Sequence, residues 1–253
     1  MRHLVIPDCQ IRPGDDTAFL ARIGQYIVDK KPDTIVCLGD FADMPSLSSY
    51  DRGKKAFEGR RYLNDIQAVH NAMSELLFPM AEHNAQQRRN GKKQYRPRMV
   101  LTLGNHEERI NRAVNDDAKL EGVLDIGHLQ YKEYGWEVYP FLEIVVVDGI
   151  AYSHYFVTGV AGRPASTANA QLNKQHMSCV AGHQQGLKIA TAQRADGRAL
   201  TAIIAGSCYE HDEDYLGFQG NRHWRGIMML HEIQDGSFDL MPVSLNYLER
   251  KYA

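Results

Sequence analysis

The chain has 253 residues, of which 24% are charged and 43% hydrophobic, and its formal net charge at pH 7 is −2. This charge excludes wholesale electrostatic binding to nucleic acid or anionic lipid, although a local basic patch is compatible with it. No apolar run approaches the roughly 18 residues that a membrane span needs, and the apolar N-terminal stretch is too short for a signal peptide. We therefore expect a cytoplasmic protein whose four cysteines, which form no C-x-x-C pair, are reduced core residues.

The first half of the chain predicts alternating strands and helices. Apolar runs at 4–6, 34–38 and 99–103 are typical of buried strands. The spacing of apolar residues predicts helices over 15–30 and 62–81, and we expect a polar helix over about 106–118. This order of elements indicates a parallel sheet with right-handed crossovers.

The second half of the chain has a different pattern. Three Asp-Gly pairs stand between strand-like runs, and each pair is a strong signal for a two-residue hairpin. The predicted hairpins join 142–147 to 150–155, 187–193 to 199–205, and 226–233 to 238–244. We therefore expect an antiparallel half to follow the parallel one. Because no Pro/Gly/Ser-rich linker separates the halves, residues 1–253 are expected to form a single domain with two packed sheets.

Polar side chains stand at the ends of five of these strand-like runs. Asp8, Asp40 and Asn105 end the first three strands, and ligands of parallel sheets bind outside the carboxyl ends of strands. In the second half, His154 ends one strand and His183 follows the apolar run 177–181. Each residue alone is better explained as a helix cap or a turn. Five such residues in order favour a site for two divalent ions, because carboxylate, amide and imidazole groups are metal ligands.

The order of these motifs resembles the calcineurin-like metallophosphoesterase superfamily, which carries D-x-H, G-D-x-x-D, G-N-H-[DE], a lone His and G-H-x-H. The resemblance covers residues 4 to about 186, through Gly39-Asp40 with Asp43, Gly104-Asn105-His106-Glu107, and Gly182-His183. The Asp-x-Gln opening is similar to bacteriophage-encoded members, which would imply the host cytoplasm. The resemblance implies an α/β fold, a four-layer α-β-β-α double β-sandwich with mixed sheets.

The resemblance also implies a role for each matching residue. Asp40 would bridge two metals, and Asp8 would join it at the first metal. The second metal would be completed by Asn105, His154 and His183. His106 would be the general acid or transition-state stabiliser, and Asp43 the carboxylate that orients it, which agrees with the general use of a histidine paired with a carboxylate.

The sequence departs from the family pattern at two positions of one metal site. Gln10 stands at the histidine of D-x-H, and Gln185 at the last histidine of G-H-x-H. With Asp8 and Asp40 they make an all-oxygen site, which suits Mg²⁺ or Mn²⁺, whereas imidazole suits zinc or iron. We expect two divalent ions, with Mn²⁺ the first candidate. The alternative is a degenerate scaffold without the first metal, against which the retention of the other motif residues argues.

Features that would face a substrate are less specific. The segment from Asp51 to Arg61 follows the second strand and is basic, with the cations Arg52, Lys54, Lys55, Arg60 and Arg61. We call this segment the rim loop. The alternative to a role in substrate binding is that the rim loop is only a solvated loop. A second basic run at 88–98 is expected at the opposite end of the sheet. His223 and Arg225 can clamp a phosphate, and Trp224 either stacks on a base or packs in the core. Arg109 and Arg112 are expected at the surface or behind the site.

These observations predict a hydrolase of phosphoric esters that activates water with two metals. We favour a phosphodiesterase that acts on nucleic acid or nucleotides, because the rim loop is basic and Met44 replaces the arginine that follows G-D-x-x-D in the protein-phosphatase branch. One alternative is a phosphomonoesterase. The other is a non-catalytic binding or assembly protein with a partly decayed metal site. The sequence leaves the natural substrate and the oligomeric state open.

Overall fold

The computed structural model describes residues 1–51, 53–213 and 216–253, and the side chain of Phe218 is outside that description. The larger of two mixed sheets has six strands. In spatial order they are Ser237–Ser244 (β11), Gly226–Gln234 (β10), His3–Ile6 (β1), Thr34–Cys37 (β2), Arg98–Thr102 (β3) and Glu137–Tyr139 (β4). The smaller sheet has five: Val145–Val147 (β5), Ile150–Ser153 (β6), Cys179–Ala181 (β7), Ala199–Ile204 (β9) and Lys188–Gln193 (β8).

Helices cover the outer face of each sheet. The α-helices of the described residues are Ala18–Lys30 (α1), Tyr62–Arg89 (α2), Glu108–Asp116 (α3), Ala168–Gln175 (α4), Gly217–Gly220 (α5) and Leu245–Tyr252 (α6). Short 3₁₀ turns occupy Pro45–Leu47, Lys55–Phe57, Ala118–Leu120 and Ile126–Leu129. In the described part of the chain, no helix is both long and apolar enough to cross a membrane.

The layers follow from the alternation of side chains along the strands. Successive strand residues point to opposite faces, so Leu4 and Ile6 pack with α1 and α2 while Val5 faces the smaller sheet. In β6, Tyr152 lies in the core between the sheets and Ala151 packs against α4. Both sheets therefore bury both faces, which gives the four-layer α-β-β-α double sandwich that the motif order implied.

The parallel order β1-β2-β3 and all three hairpins are confirmed. The antiparallel second half is wrong in two respects. Strands β6, β7 and β9 pair in parallel, and the β10–β11 hairpin joins the larger sheet beside β1. The reason is burial: Met228 of β10 lies in the core between the sheets and Met229 in the core beneath the helices, so β10 is an inner strand with two apolar faces.

Candidate metal centre and active site

Five loops from the two sheets converge at one edge of the fold. Asp8, Asp40 and Asn105 follow β1, β2 and β3, and His154 and His183 follow β6 and β7. Two contacts join the sheets there. The backbone N–H of His183 donates to both carboxylate oxygens of Asp8 at 3.0 Å, and Nε2 of His154 lies 2.9 Å from Oδ1 of Asn105. The structure thus brings together the five residues that end the predicted strands.

The backbone at this edge adopts conformations that most side chains avoid. Gln10, Asp40 and His183 have φ of 45°, 46° and 67°, in the left-handed region that costs a non-glycine residue energy. Close packing also requires a glycine at position 104, because a Cβ there would lie 2.1 Å from Oδ1 of Asp40. Such strain clusters at functional sites, where the surrounding structure fixes a side chain in place.

Three side chains form a group that can hold a cation. One ligand atom each from Asp40, His154 and His183 lies within 4.8 Å of the other two. Nδ1 of His154 lies 2.8 Å from the Leu38 carbonyl oxygen, so its Nε2 is turned inward, 3.4 Å from Oδ2 of Asp40. The amide oxygen of Asn105 lies beside that Nε2 and supplies a fourth candidate ligand.

A second group of oxygen donors lies on the Asp8 side. Asp8 and Gln10 are both almost fully buried. Oε1 of Gln10 is buried without a hydrogen-bond partner among the described residues. A buried amide oxygen without a partner is costly, and a bound cation removes that cost. Gln185 is half-buried two residues beyond His183, and the charge of Asp40 acts on the Asp8 carboxyl.

The charges of the centre are those of a site built for cations. Burial, reinforced by the charge of Asp40, raises the pKa of Asp8 to about 7. Burial also opposes ionisation of Asp40, but the rings of His106 and His154 lower its pKa below the ordinary value. Burial would lower the pKa of His154, yet Asp40 outweighs it and raises that pKa to about 9. The protonated His154 therefore offsets the carboxylate charge, a task that a divalent ion would take over.

His183 differs from its neighbour His154. Burial, together with the positive charge of His154, lowers the pKa of His183 to about 4. Its imidazole is therefore neutral at pH 7, which is the form that binds a metal ion. Tyr155 packs against this ring with a centroid distance of 4.8 Å and helps to fix its orientation.

His106 lies beside the metal ligands without belonging to either group. Its Nδ1 lies 2.7 Å from Oδ1 of Asp43, and its backbone N–H donates to Oδ1 of Asp40 at 2.8 Å. Nε2 points towards the centre, 3.7 Å from Oδ2 of Asp40. Burial lowers the pKa of His106, but the charge of Asp40 and the bond to Asp43 outweigh burial and raise it. This geometry resembles an oriented acid more than a metal ligand.

Two residues of the centre carry no role in the sequence analysis. Glu107 is fully buried and accepts three backbone N–H bonds from the loops that follow β2 and β3. Arg109 was expected at the surface or behind the site, but its guanidinium lies 3.1 Å from Nε2 of His106. Its position three residues after His106, one turn into the segment that leads into α3, is the signal that could have found it. Arg112, by contrast, is exposed.

The rim loop lies next to Asp43 but is partly neutralised. Arg60 donates to the carbonyl oxygen of Pro45 at 3.0 Å, which ties the loop to the segment that follows Asp43. Asp51 pairs with Lys54 at 2.9 Å and with Arg60 at 2.7 Å. Two of the expected cations are therefore engaged within the loop itself.

Other cations of the loop face solvent. Lys55 and Arg61 are exposed, and Arg61 donates only to a neighbouring backbone carbonyl in the bonds that the structure describes. Arg52 lies outside the described residues. The second basic run, with Lys92 and Lys93, lies beside the residues that precede β2 and β3, at the end of the sheet opposite the centre.

Both ring nitrogens of His223 and the two Nη atoms of Arg225 are engaged within their own loop, whereas Nε of Arg225 is buried without a hydrogen-bond partner among the described residues. Nε2 of His223 lies 2.7 Å from Oγ of Ser207 and Nδ1 lies 2.9 Å from the carbonyl oxygen of Gly220. Arg225 donates to two backbone carbonyls and one carboxylate of the same loop. Trp224 packs against the core between the sheets, in agreement with the packing interpretation. These contacts favour a structural role over a phosphate clamp.

Comparisons with known proteins agree with the motif order. The Calcineurin-like phosphoesterase family matches residues 1–184 of the chain. Among solved structures, Yfce, a phosphoesterase from E. coli, aligns over 97% of this chain and 100% of that chain, with 14% identity and a TM-score of 0.37. A score this low carries no argument about function. No curated protein matches the chain.

Proposed function

Since the chain belongs to the calcineurin-like phosphoesterase family, a family of metal-dependent phosphoester hydrolases, we propose that it is a phosphodiesterase that acts on nucleic acid or nucleotides. The observation that carries the proposal is the pairing of two buried donor groups with an oriented histidine. Asp40, His154 and His183 form the first group, and Oε1 of Gln10 is an unpartnered acceptor in the second.

The donor chemistry fits two divalent ions of different character. Asn105, His154 and His183 with Asp40 would hold one ion, and Asp8, Gln10, Gln185 and Asp40 the other. The second set offers only oxygen, which suits Mn²⁺ or Mg²⁺, and we expect Mn²⁺ there. Zinc or iron suits the imidazole-containing set. When bound, the ions would activate water and neutralise the charge on the phosphoryl group.

Other residues of the chain would orient the general acid and hold the loops that carry the ligands. The Asp43 carboxylate holds Nδ1 of His106, so that Nε2 faces the place where a leaving oxygen would lie. Glu107 fixes the two loops that carry Asp40 and Asn105 relative to each other. General acid assistance of this kind contributes about 10²–10⁴-fold to a rate.

The preference for a diester rests on the rim loop. Lys55 and Arg61 are exposed on the side of Asp43, where a polymeric phosphate backbone would extend beyond the metals. A monoester has no further phosphates for these cations to contact. A phosphomonoesterase therefore remains the rival within the same chemistry, and a non-catalytic binding protein is the rival from another class.

Turnover with defined metals tests the proposal. The metal-depleted chain should hydrolyse a small aryl phosphodiester only after Mn²⁺ is added, and faster than the matching monoester. Cleavage of a short single-stranded oligonucleotide should fall steeply as salt rises, because each phosphate contact releases counterions. Faster turnover of the monoester would favour the phosphomonoesterase, and metal binding without any turnover would favour the binding protein.

Replacement of the exposed cations tests the nucleic-acid part separately. Changing Lys55 and Arg61 to Ala should reduce the slope of log rate against log salt by about 1 to 2 on the oligonucleotide, without changing turnover of the small diester. Changing Lys92 and Lys93 to Ala removes the same charge at the opposite end of the sheet and should leave both unchanged. Equal slopes for the two double variants would contradict nucleic acid as the substrate.

A further inference from the structure

Arg109 makes contacts that join it to the reactive side of His106. Its Nη2 lies 3.1 Å from Nε2 of His106. Its Nη1 donates to the Asp43 carbonyl oxygen at 2.7 Å and lies 3.2 Å from Oδ1 of the same residue. The side chains of Arg109 and His106 each retain 16% exposure, so both reach the cleft while most of their surface is buried.

The donor and acceptor chemistry of the two side chains gives a direction to the hydrogen bond between Arg109 and His106. A carboxylate only accepts, so Nδ1 of His106 carries the hydrogen that it donates to Asp43. A guanidinium only donates, so Nε2 of His106 accepts from Arg109. In this neutral form of His106, Arg109 is the donor at the point where the two side chains meet the cleft, and Nε2 of His106 is free for acid assistance only once Arg109 has released it.

Arg109 also supplies a positive charge that the segment directly after Asp43 lacks. Position 44, directly after Asp43, is a buried methionine, and Arg60 of the rim loop is bound to Asp51 and to the Pro45 carbonyl oxygen. Arg12 approaches Asp43 from the other side at 3.9 Å, but it is bound to carboxylates of its own. Helix α3 therefore brings a guanidinium within hydrogen-bond distance of His106.

We propose that Arg109 is a catalytic residue that donates a hydrogen bond to the leaving-group oxygen, exchanging its bond to Nε2 of His106 for one to the substrate. The inference rests on the proposed function. In the reaction, water forms a new P–O bond and the P–O bond to the leaving group breaks with its electron pair on the leaving oxygen. One hydrogen of the water ends on that oxygen, and the other stays on the phosphate product or is released. Arg109 remains protonated and moves no proton.

The rival explanation is that Arg109 only positions Asp43 and His106. The two explanations differ in what they predict for the leaving group. A donor to the leaving oxygen matters most when that oxygen carries most charge, so its loss should affect poor leaving groups more than good ones. Loss of a positioning contact acts through His106 and should add nothing once His106 has been removed.

The test compares wild type, Arg109→Gln, Arg109→Lys and Arg98→Gln with a series of alkyl aryl phosphodiesters whose phenols differ in acidity. Arg98 is the matched control, because it also forms a salt bridge, with Glu137, but at the opposite end of β3. We expect Arg109→Gln to lose about 10²–10³-fold in kcat with the least acidic phenol, as for removal of other transition-state donors, and clearly less with the most acidic. Arg109→Lys should recover part of the loss, and Arg98→Gln should match the wild type.

Two further measurements separate the explanations. In a His106→Ala background, Arg109→Gln should still reduce kcat, and the affinity of the Mn²⁺-loaded protein for inorganic phosphate, measured by calorimetry, should fall in Arg109→Gln but not in Arg98→Gln. An equal loss for all phenols, no further loss in the His106→Ala background, and unchanged phosphate affinity would overturn the proposal. If the wild type hydrolyses no ester, the proposed function fails, and the phosphate measurement still decides whether Arg109 reaches a phosphoryl group.

Discussion

Glu107 joins the two loops that carry the candidate ligands of the larger sheet, and its removal should have a large and calculable effect. Oε2 accepts the backbone N–H bonds of Asp40 and Gly104, each at 2.9 Å. Oε1 accepts the N–H of Ala42 at 3.0 Å and the hydroxyl of Tyr131 at 3.2 Å. Four donors thus face the carboxylate, and the three backbone bonds hold the loops after β2 and β3 in one arrangement.

The conservative change Glu107→Gln should be strongly destabilising for this reason. An amide replaces one of the two oxygens by an NH₂ group. Turned towards Asp40 and Gly104, the NH₂ leaves two buried N–H donors without an acceptor. Turned the other way, it leaves the Ala42 N–H without one, while the Tyr131 hydroxyl can accept from it. Each buried donor left without a partner costs about 1–3 kcal/mol. The less costly orientation leaves one buried donor unpaired, so we expect the free energy of unfolding to fall by roughly 1–3 kcal/mol, against the ~5–15 kcal/mol of an ordinary domain.

Urea unfolding followed by circular dichroism measures this effect, and Glu108→Gln is the matched control. Glu108 is the next residue, and its described hydrogen bond is a single exposed one from Asn111 at 2.8 Å, so its change should alter stability by less than about 0.5 kcal/mol. Mn²⁺ affinity should also fall in Glu107→Gln, because the backbone that aims Asp40 is released. If Glu107→Gln unfolds at the same urea concentration as the wild type, the loops are held by other contacts and the reasoning is refuted.

Three further predictions address the metal ligands and the sheet interface. Asp40→Asn should abolish turnover and weaken Mn²⁺ binding at both positions, because an amide neutralises neither ion; calorimetry and circular dichroism would separate lost binding from lost fold. Mn²⁺ titration of the wild type should give two unequal affinities. Changing Gln10 and Gln185 to His should strengthen the weaker site and shift its metal preference towards zinc. Two equal affinities in the wild type would count against two metal sites of different character. Burial lowers the pKa of His3 below its ordinary 6.5 despite the bond to Asp148. The unfolded chain therefore takes up a proton first, so stability should hold above about pH 6.5 and fall below it, and His3→Gln should flatten this fall in urea titrations.

The sequence was informative where a local pattern determines the structure. The hairpins at Asp148 and Asp235 follow from local turn chemistry, since both residues have positive φ and a glycine follows each. Helix α2 runs eight residues beyond the predicted end at 81, to Arg89, because its last turns are polar and leave no apolar periodicity to read. Helix α4 was not predicted, although Thr167 caps its first turn by accepting the N–H of Ala170. The partners of β10 depend on burial across the whole fold, which no local pattern reveals.

The difference between what local patterns and long-range packing determine also applies to the candidate metal centre. Asp8, Asp40 and Asn105 could be placed together because parallel strands end at one edge, but the arrival of His183 beside Asp8 depends on how the second sheet packs on the first. The role of Arg109 was missed for a related reason. Arg109 lies 3.1 Å from His106, and a sequence gives helical spacing without saying which face of the helix meets the site.

The candidate metal centre is built from both sheets, so the packing between the sheets determines how its side chains are spaced. Asp8 and Asp40 are carried by the larger sheet and His154 and His183 by the smaller one. Between them lie apolar side chains such as Val36, which is buried in the layer that separates the sheets. Interiors are close-packed, so the spacing of the sheets is fixed to within a fraction of a side chain. The distance between the carboxylates and the imidazoles is therefore set by an apolar layer outside the candidate metal centre, and the left-handed backbone of Asp40 and His183 then orients these two candidate ligands.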